Sequence, residues 1–445
     1  MRIIISGAGA VGTHLAKLLS RENMDICLMD ENRERLGLLD ANYDLLTKQG
    51  SPTSIQDLRD IGVKDVDLYI AVTPDETKNI MSCLLANSLG AKRTLARIDN
   101  YEYILPDNKV LFENLGLNHL IYPEVLAAKE IGESLRTNWM RYNLQLSGGK
   151  LELCVVKVRE NASILNKRFA SGFFNHNRFR VVAIGRGNET IIPRGNDQIE
   201  VGDLVFFVCK RSEREFVREQ AGKTQHDIHN VIIYGGGRIA QKAAIEKPEN
   251  MTVKIIEPDR ETCYQLAEKL PNVMILCGNA SDMEFLKEAG IEDADAFVAV
   301  TDNAEANIFA CLAAKRFGVR KTIAEIENID YIPMAEGLDI GTVLNKKTIT
   351  ASYIYQLLLD HASVLNVRNL TSADAQVVEF IAQEGSRITK DKIKDLNLPD
   401  DANVGALVRE GVGILVTGDT QVLPGDQVVI FCKSQAIRKL EKFFK

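Results

Sequence analysis

The stretches MRIIISGAGAVGTHLA (1–16) and CLMDENRE (27–34), with NVIIYGGGRIAQKAA (230–244) and VKIIEPDRE (253–261), decide the fold of this chain. Each pair reads as a short apolar strand, a glycine turn, the start of a helix, and a second apolar strand ending in an acid. Gly7 and Gly235 stand about 228 residues apart. That spacing is far longer than a solenoid period, so the chain is a duplicated domain pair. One G-x-G-x-x-G is weak evidence. The same loop twice in register, each time with its downstream acid, is much stronger.

Outward from these loops the first copy continues with DLYIAVT (67–73), KRTLARI (92–98) and NHLIY (118–122), separated by helical stretches. This βαβαβ rhythm implies a parallel, doubly wound sheet. The stretch 50–79 aligns without a gap to 278–307. The segments after each copy differ: ELCVVKV (152–158) and VGDLVFFVCK (201–210) in one, VVEFIAQ (377–383) and PGDQVVIFCK (424–433) in the other, are short strands joined by turns. The expected fold is α/β: two tandem doubly wound Rossmann-like parallel-sheet domains, each followed by a small α+β domain. The boundaries read as 1–122 for the first Rossmann-like domain, 123–148 for a crossover helix, and 149–225 for the first small domain. The second copy gives 226–345, a crossover helix at 346–368, and a small domain at 369–445. In the first crossover helix, Val125, Leu126, Ala128, Ile131 and Leu135 form one apolar stripe, suited to its own domain or to a neighbouring subunit.

Composition limits the function. A chain of 445 residues with 45% hydrophobic and 26% charged residues has room for two to four globular domains. A net charge of −7 leaves no excess of Lys and Arg for general nucleic-acid binding. No apolar run approaches the ~20 residues that span a bilayer, and no signal-peptide layout opens the chain, so a cytoplasmic protein is expected. None of the eight cysteines forms C-x-x-C, and most sit in apolar segments, as small buried hydrophobes do. His226 and His229 have H-x-x-H spacing but no third ligand nearby in sequence, and read as linker. No metal site and no catalytic residue is expected.

The glycine loops carry the chemistry. Gly7 permits a tight turn, Gly9 lets backbone approach a phosphate, and Gly12 lets the helix pack close to the sheet. The N–H groups of Ala8, Ala10 and Val11 then line a helix N-terminus that attracts anions. In the second copy Gly235, Gly236, Gly237, Arg238 and Ile239 repeat this loop, and Ala240 replaces the third glycine. Tight strand–helix turns also use glycine without a ligand, but the paired acids favour binding. Asp30 and Glu257 end the second strands, where a carboxylate accepts hydrogen bonds from ribose hydroxyls and repels a 2′-phosphate. NAD(H) or an adenine nucleotide is therefore expected over NADP(H). Gly50, Gly278, Thr73 and Thr301 stand at the carboxyl edges of later strands, as ligand contacts or as turn and cap residues. Arg97 and Glu325 occupy equivalent positions on the fifth strands. Arginine can clamp phosphate, and glutamate would disfavour it, so the two sites are expected to differ.

Together the loops, the acids and the VGDLVFFVCK/PGDQVVIFCK pair resemble the TrkA family, regulatory subunits of bacterial Trk potassium uptake built from two tandem RCK (KTN) modules. The resemblance covers the whole chain. It implies a non-enzymatic homotetramer, peripheral on the inner face of the cell membrane, that docks on a membrane-embedded Trk potassium channel subunit of the TrkH/TrkG kind. It also implies that NAD(H), with ATP or ADP as the alternative ligand, binds the glycine loops and shifts a ring of modules to gate the channel. The ligand residues implied are Gly7 to Gly12, Asp30, Thr73 and Arg97, with Gly235 to Ile239 and Glu257 in the second copy. The alternative is an NAD-dependent dehydrogenase, which needs a proton-transfer group in a substrate domain. The small domains offer one histidine, His176.

Overall fold

The computed structural model describes residues 1–19, 24–40, 45–174, 176–187, 189–328, 331–359, 366–369, 375–433 and 436–444. The chain divides into two compact units: Met1–Lys129 with Asn345–Leu358, and Glu130–Leu344 with Leu359–Lys445.

The first unit holds six parallel strands: β1 (Arg2–Ser6), β2 (Asp25–Asp30), β3 (Leu46–Gln49), β4 (Leu68–Ala71), β5 (Thr94–Arg97) and β6 (His119–Ile121). Their order is β3-β2-β1-β4-β5-β6, the doubly wound arrangement expected. The strands are continuous apolar runs because helices cover both faces. Ile3, Ile4, Ile5, Tyr69 and Ile70 are fully buried. The helix Lys346–Leu359 contributes residues to this unit, and Lys346 pairs with Glu124 at 3.6 Å.

The second unit contains three sheets. In the first, β7 (Tyr142–Leu146), β8 (Leu151–Lys157), β9 (Phe179–Arg186), β10 (Glu189–Ile191) and β11 (Leu204–Cys209) are antiparallel in the order β10-β9-β11-β8-β7. The next is a second parallel sheet of β12 (Asn230–Tyr234), β13 (Thr252–Glu257), β14 (Met274–Cys277), β15 (Ala296–Ala299), β16 (Lys321–Glu325) and β17 (Thr342–Leu344). Its order, β14-β13-β12-β15-β16-β17, repeats the first Rossmann-like sheet strand for strand. The last sheet orders β18 (Asn366–Asn369), β19 (Gln376–Ile381), β20 (Ala402–Arg409), β21 (Val412–Leu415) and β22 (Gln427–Cys432) as β18-β19-β22-β20-β21, again antiparallel.

The two small sheets do not stand alone. Leu151, Leu153, Val155 and Phe206 of one pack with Val377, Val429 and Phe431 of the other in one core. Gly405 fits because a Cβ there would meet a Val182 methyl at 2.7 Å. Glu379, buried in this interface, accepts hydrogen bonds from Ser147 N–H and Oγ at 3.1 and 3.0 Å. Each sheet also carries the same ion pair around a buried aspartate. Arg186 Nε and Nη2 donate to the Asp203 carboxylate at 2.9 and 2.8 Å. Arg409 does the same to Asp426 at 2.9 and 2.7 Å. These aspartates are the D of VGD and PGD, and each also caps its own turn by accepting Glu200 or Leu423 N–H at 2.8 Å.

Both crossover helices are shorter than expected. The first is Pro123–Arg136, and Tyr142–Leu146 within the expected 123–148 span forms β7. The second ends at Leu359; residues 360–365 lie outside the described residues, and Asn366–Asn369 form β18. The alternating YNLQL segment pairs with β8 because a short alternating run satisfies a sheet edge better than a helix turn. Of the predicted stripe, Val125, Ala128, Ile131 and Leu135 are buried within the chain. Among the described residues no helix is long and apolar enough to cross a membrane.

Candidate functional site

The doubly wound topology brings the predicted residues to one edge of each parallel sheet. Gly7 follows β1, Asp30 ends β2, Gly50 follows β3, Thr73 lies just beyond β4, and Arg97 ends β5. Gly235, Glu257, Gly278, Thr301 and Glu325 take the same places around β12 to β16. This carboxyl edge is where open α/β sheets bind ligands.

Gly7 is left-handed (φ +109°), and a Cβ there would meet Thr73 N at 2.9 Å. Gly235 repeats this at φ +99°, with Thr301 N 3.0 Å away. Gly9 and Gly237 have open space where a side chain would stand. A Cβ on Gly12 would strike Gly7 O at 1.9 Å, so the helix Ala10–Leu19 sits hard against the turn. Its first turn leaves the N–H groups of Ala10 and Val11 without intrahelical acceptors. In the second copy the helix Arg238–Ile245 begins with Arg238 and Ile239, and Ala240 is fully buried.

Each acid is tied to its loop. Ala8 N–H donates to Asp30 Oδ2 at 2.6 Å, and Asn32 N–H to Oδ1 at 2.8 Å. Gly236 N–H donates to Glu257 Oε2 at 2.7 Å, and Asp259 N–H to Oε1 at 2.9 Å. The second loop is the more crowded at this position, chiefly by Leu266. A Cβ on Gly236 would meet Leu266 Cδ1 at 2.3 Å and Glu257 Oε2 at 3.1 Å, a demand Ala8 does not face. Gly50 and Gly278 act on the acids through backbone: their N–H groups donate to the Asp30 and Glu257 carbonyls at 3.1 and 3.0 Å. Gly278 also makes room for the Phe285 ring, 2.3 Å from where its Cβ would stand.

The threonines anchor the turn after the fourth strand, while Asp75 and Asn303 cap the helices that follow. Thr73 Oγ1 lies 2.7 Å from Asn79 Oδ1, which also accepts Thr73 N–H at 2.9 Å. Asn79 Nδ2 donates to the carbonyls of Thr73 and Arg97, both at 2.9 Å. Asn307 makes the same four bonds to Thr301 and the Glu325 carbonyl. Sequence reasoning missed both asparagines, although Asn79 and Asn307 end the gapless repeat 50–79/278–307 at matching positions. Each is buried and stitches the helix after the fourth strand to the fifth, fixing the backbone at the crevice.

The surroundings of the two fifth-strand residues differ. Arg97, about a fifth exposed, reaches Asp99 at 3.4 Å. Its counterpart Glu325 is buried. Glu31, beside Asp30, accepts Ser51 Oγ at 2.8 Å and pairs with Lys78 at 3.3 Å on the crevice rim. Its carboxyl is held below the usual range by those hydrogen bonds, first from Ser51 and then from Lys78. His176, the histidine of the first small domain, packs edge-on against Phe179 and Phe216, and burial lowers its pKa.

The TrkA-N domain family matches residues 3–123 and 231–346, and the TrkA-C domain family matches 153–222 and 377–445. The chain is 33% identical over 458 residues to the Trk system potassium uptake protein TrkA of Haemophilus influenzae, covering 100% of this chain and 99% of that one. It is 32% identical over 457 residues to TrkA of Halomonas elongata, with 100% and 99% covered. The TrkA homolog of Archaeoglobus fulgidus is 32% identical over 447 residues, with both chains fully covered. Among solved structures, the GsuK RCK domain aligns with a TM-score of 0.57 at 16% identity, covering 100% of this chain and 94% of that one. The GsuK channel bound to NAD aligns with a TM-score of 0.57, also at 16% identity, covering 100% and 78%. At that identity the two structures speak for the fold.

Proposed function

The chain belongs to the TrkA family of Trk potassium-uptake regulatory proteins with tandem RCK domains, and from that premise we propose that it binds NAD(H), with ATP or ADP as the alternative ligand, at both glycine loops. The observation that carries this reading is the repeated acid-to-loop bond, Asp30 to Ala8 and Glu257 to Gly236. It holds a carboxylate beside backbone amides at a helix N-terminus, the arrangement that grips an adenosine ribose and its phosphates. The cradle fits such a group, since Gly9 and Gly237 leave space for backbone to approach it. Ala10 and Val11 N–H would meet the phosphates, and Asp30 would accept the 2′- and 3′-hydroxyls. Bound NAD(H) would serve as a regulatory ligand.

The first site would take phosphate-rich ligands more readily, because Arg97 stands where the second site has Glu325. Arg238, at the start of the second loop, partly offsets that difference. Thr73 and Thr301 support the site through the turns that they anchor to Asn79 and Asn307.

The role inferred is regulatory. A ligand shifts an assembly only by its difference in affinity between two states, and a coupling of ~1–3 kcal/mol suffices for a few-fold to hundred-fold effect. The assembly would be a homotetramer on the inner face of the cell membrane, docked on a TrkH/TrkG-like channel subunit. The test is a pull-down from solubilised membranes with and without NADH or ATP. Nucleotide-dependent recovery of a potassium channel subunit supports this reading. Turnover of a 2-hydroxy or amino acid with NAD at enzymatic rates would overturn it.

A further inference from the structure

A cleft of about 310 Å³ in the second unit lies between the first small sheet and the amino edge of the second parallel sheet. Lys321, which opens β16, lines it, whereas Glu325, which ends that strand, faces the opposite edge where Gly235 and Glu257 stand. The cleft is therefore separate from the nucleotide crevice. Its wall is basic and polar, with Trp139 as an aromatic side.

The cations are gathered from distant segments. Arg141, Lys157 and Arg159 come from the ends of β7 and β8, Lys315 from the helix Ala304–Arg316, and Lys223 from the segment joining the small sheet to β12. Four of them converge on one carboxylate. Arg141 and Arg159 pair with Asp339, joined by Lys157 at 3.5 Å and Lys315 at 3.3 Å. Lys223 makes no side-chain hydrogen bond or ion pair among the described residues, yet it is held in the cleft beside Arg159. Asp295, an acid of the cleft wall, accepts the N–H groups of His229 and Asn230 through one oxygen, both at 2.9 Å.

Like charges packed this closely repel one another unless an anion joins them. Burial, reinforced by Arg159 and Arg141, pushes the Lys223 amine down to about 8. Burial opposes ionisation of Asp339, but Arg141, Arg159, Lys315 and Lys157 together hold its carboxyl well below the usual range. A chain of net charge −7 that concentrates cations in one cleft has built a local anion site. The planar forks of Arg141 and Arg159 match phosphate oxygens, and the volume exceeds a single phosphate and suits a small molecule.

We propose that this cleft binds a small anion carrying two or more linked phosphate groups, with Lys223, Arg159 and Lys315 as its main cationic contacts. The anion would bridge the first small sheet and the second Rossmann-like domain, and would do so whether or not the glycine loops bind NAD(H).

The test uses the full chain with NADH present in excess, so that any phosphate affinity of the glycine loops is masked. Calorimetric titration with inorganic tripolyphosphate and, separately, with a nucleoside triphosphate distinguishes the two sources of that chemistry. Equal affinities point to a free polyphosphate, and tighter nucleotide binding that Lys223→Gln weakens points to a nucleotide in the cleft; each supports the site, whereas tighter nucleotide binding that Lys223→Gln leaves unchanged belongs to the glycine loops and counts against a nucleotide here. Lys223→Gln and Arg159→Gln are each expected to weaken tripolyphosphate binding at least tenfold and to leave the NADH titration unchanged. In the unmutated protein, amine-reactive labelling of Lys223, followed by mass spectrometry, is expected to slow at least fivefold with tripolyphosphate. The proposal is overturned if tripolyphosphate gives no saturable binding, if both variants bind it as the parent does, or if Lys223 labels equally fast with and without it.

Discussion

The Asp30 carboxylate accepts the Ala8 N–H at 2.6 Å, so the acid at the end of β2 and the glycine loop after β1 are one hydrogen-bonded unit. Truncation of this acid is therefore expected to act on both the proposed ribose contact and the loop. Asp30→Ala is expected to weaken NADH binding by about 1–3 kcal/mol, read as a five- to 150-fold rise in Kd by fluorescence titration. The parent should prefer NADH to NADPH, and the variant should narrow that preference because the charge facing a 2′-phosphate is gone. An unchanged NADH curve would remove Asp30 from the ribose contacts.

Asn79 satisfies four backbone and hydroxyl groups of Thr73 and Arg97 from a buried position. Asn79→Ala leaves those groups without that partner, at a cost of about 2–4 kcal/mol. The urea midpoint of the first unit should fall, and NADH binding should weaken with it. Asn307→Ala should do the same in the second unit. A midpoint within error of the parent would show that water replaces the amide without cost.

Asp426 is almost fully buried under the Arg409 fork. Removing one partner of a buried pair strands the other, and because Arg409 is about a third exposed, Asp426→Ala should cost about 2–4 kcal/mol rather than the full buried-pair penalty. Asp426→Asn keeps an acceptor for the Leu423 N–H and should recover part of the loss. Equal thermal midpoints for the two variants would count against the turn-capping half of its role.

Lys321 is buried with its amine donating to Met140 O and Thr342 Oγ1, both at 3.0 Å. Burial, with Arg141 as a nearby like charge, pushes it down to about 7. In the unfolded chain a lysine titrates near ~10.4. Between these values the unfolded chain holds the extra proton, so this group's contribution to stability grows as pH rises from 7 and is lost as pH falls back through 7. The slope has a ceiling of about 1.4 kcal/mol per pH unit. Lys321→Met should flatten the rise in urea midpoint between pH 7 and pH 9. A parallel rise in parent and variant would assign the slope to other groups.

The parallel sheets were legible because their signal is local: an apolar run, a glycine turn and an acid at the next strand end. Each strand end is fixed once the strand order is fixed, so Asp30, Thr73 and Arg97 fall on one edge. What escaped are relationships between segments far apart in sequence. Asn79 reads as an ordinary polar residue on an amphipathic helix until β5 lies beneath it. Asp203 reads as a turn residue until Arg186 reaches it from β9. Arg141 and Asp339 are 198 residues apart, and no period or motif joins them. The crossover spans were overdrawn because a short alternating segment such as YNLQL carries too few residues to separate strand from helix.

The common core of the two small sheets has a further consequence. If the two sheets were on separate chains, their contact would be bimolecular and would weaken on dilution. Here both partners are tethered in one polypeptide, so their encounter is intramolecular and independent of protein concentration. The pairing therefore holds at any concentration at which the chain is folded, and each half always meets the same mate.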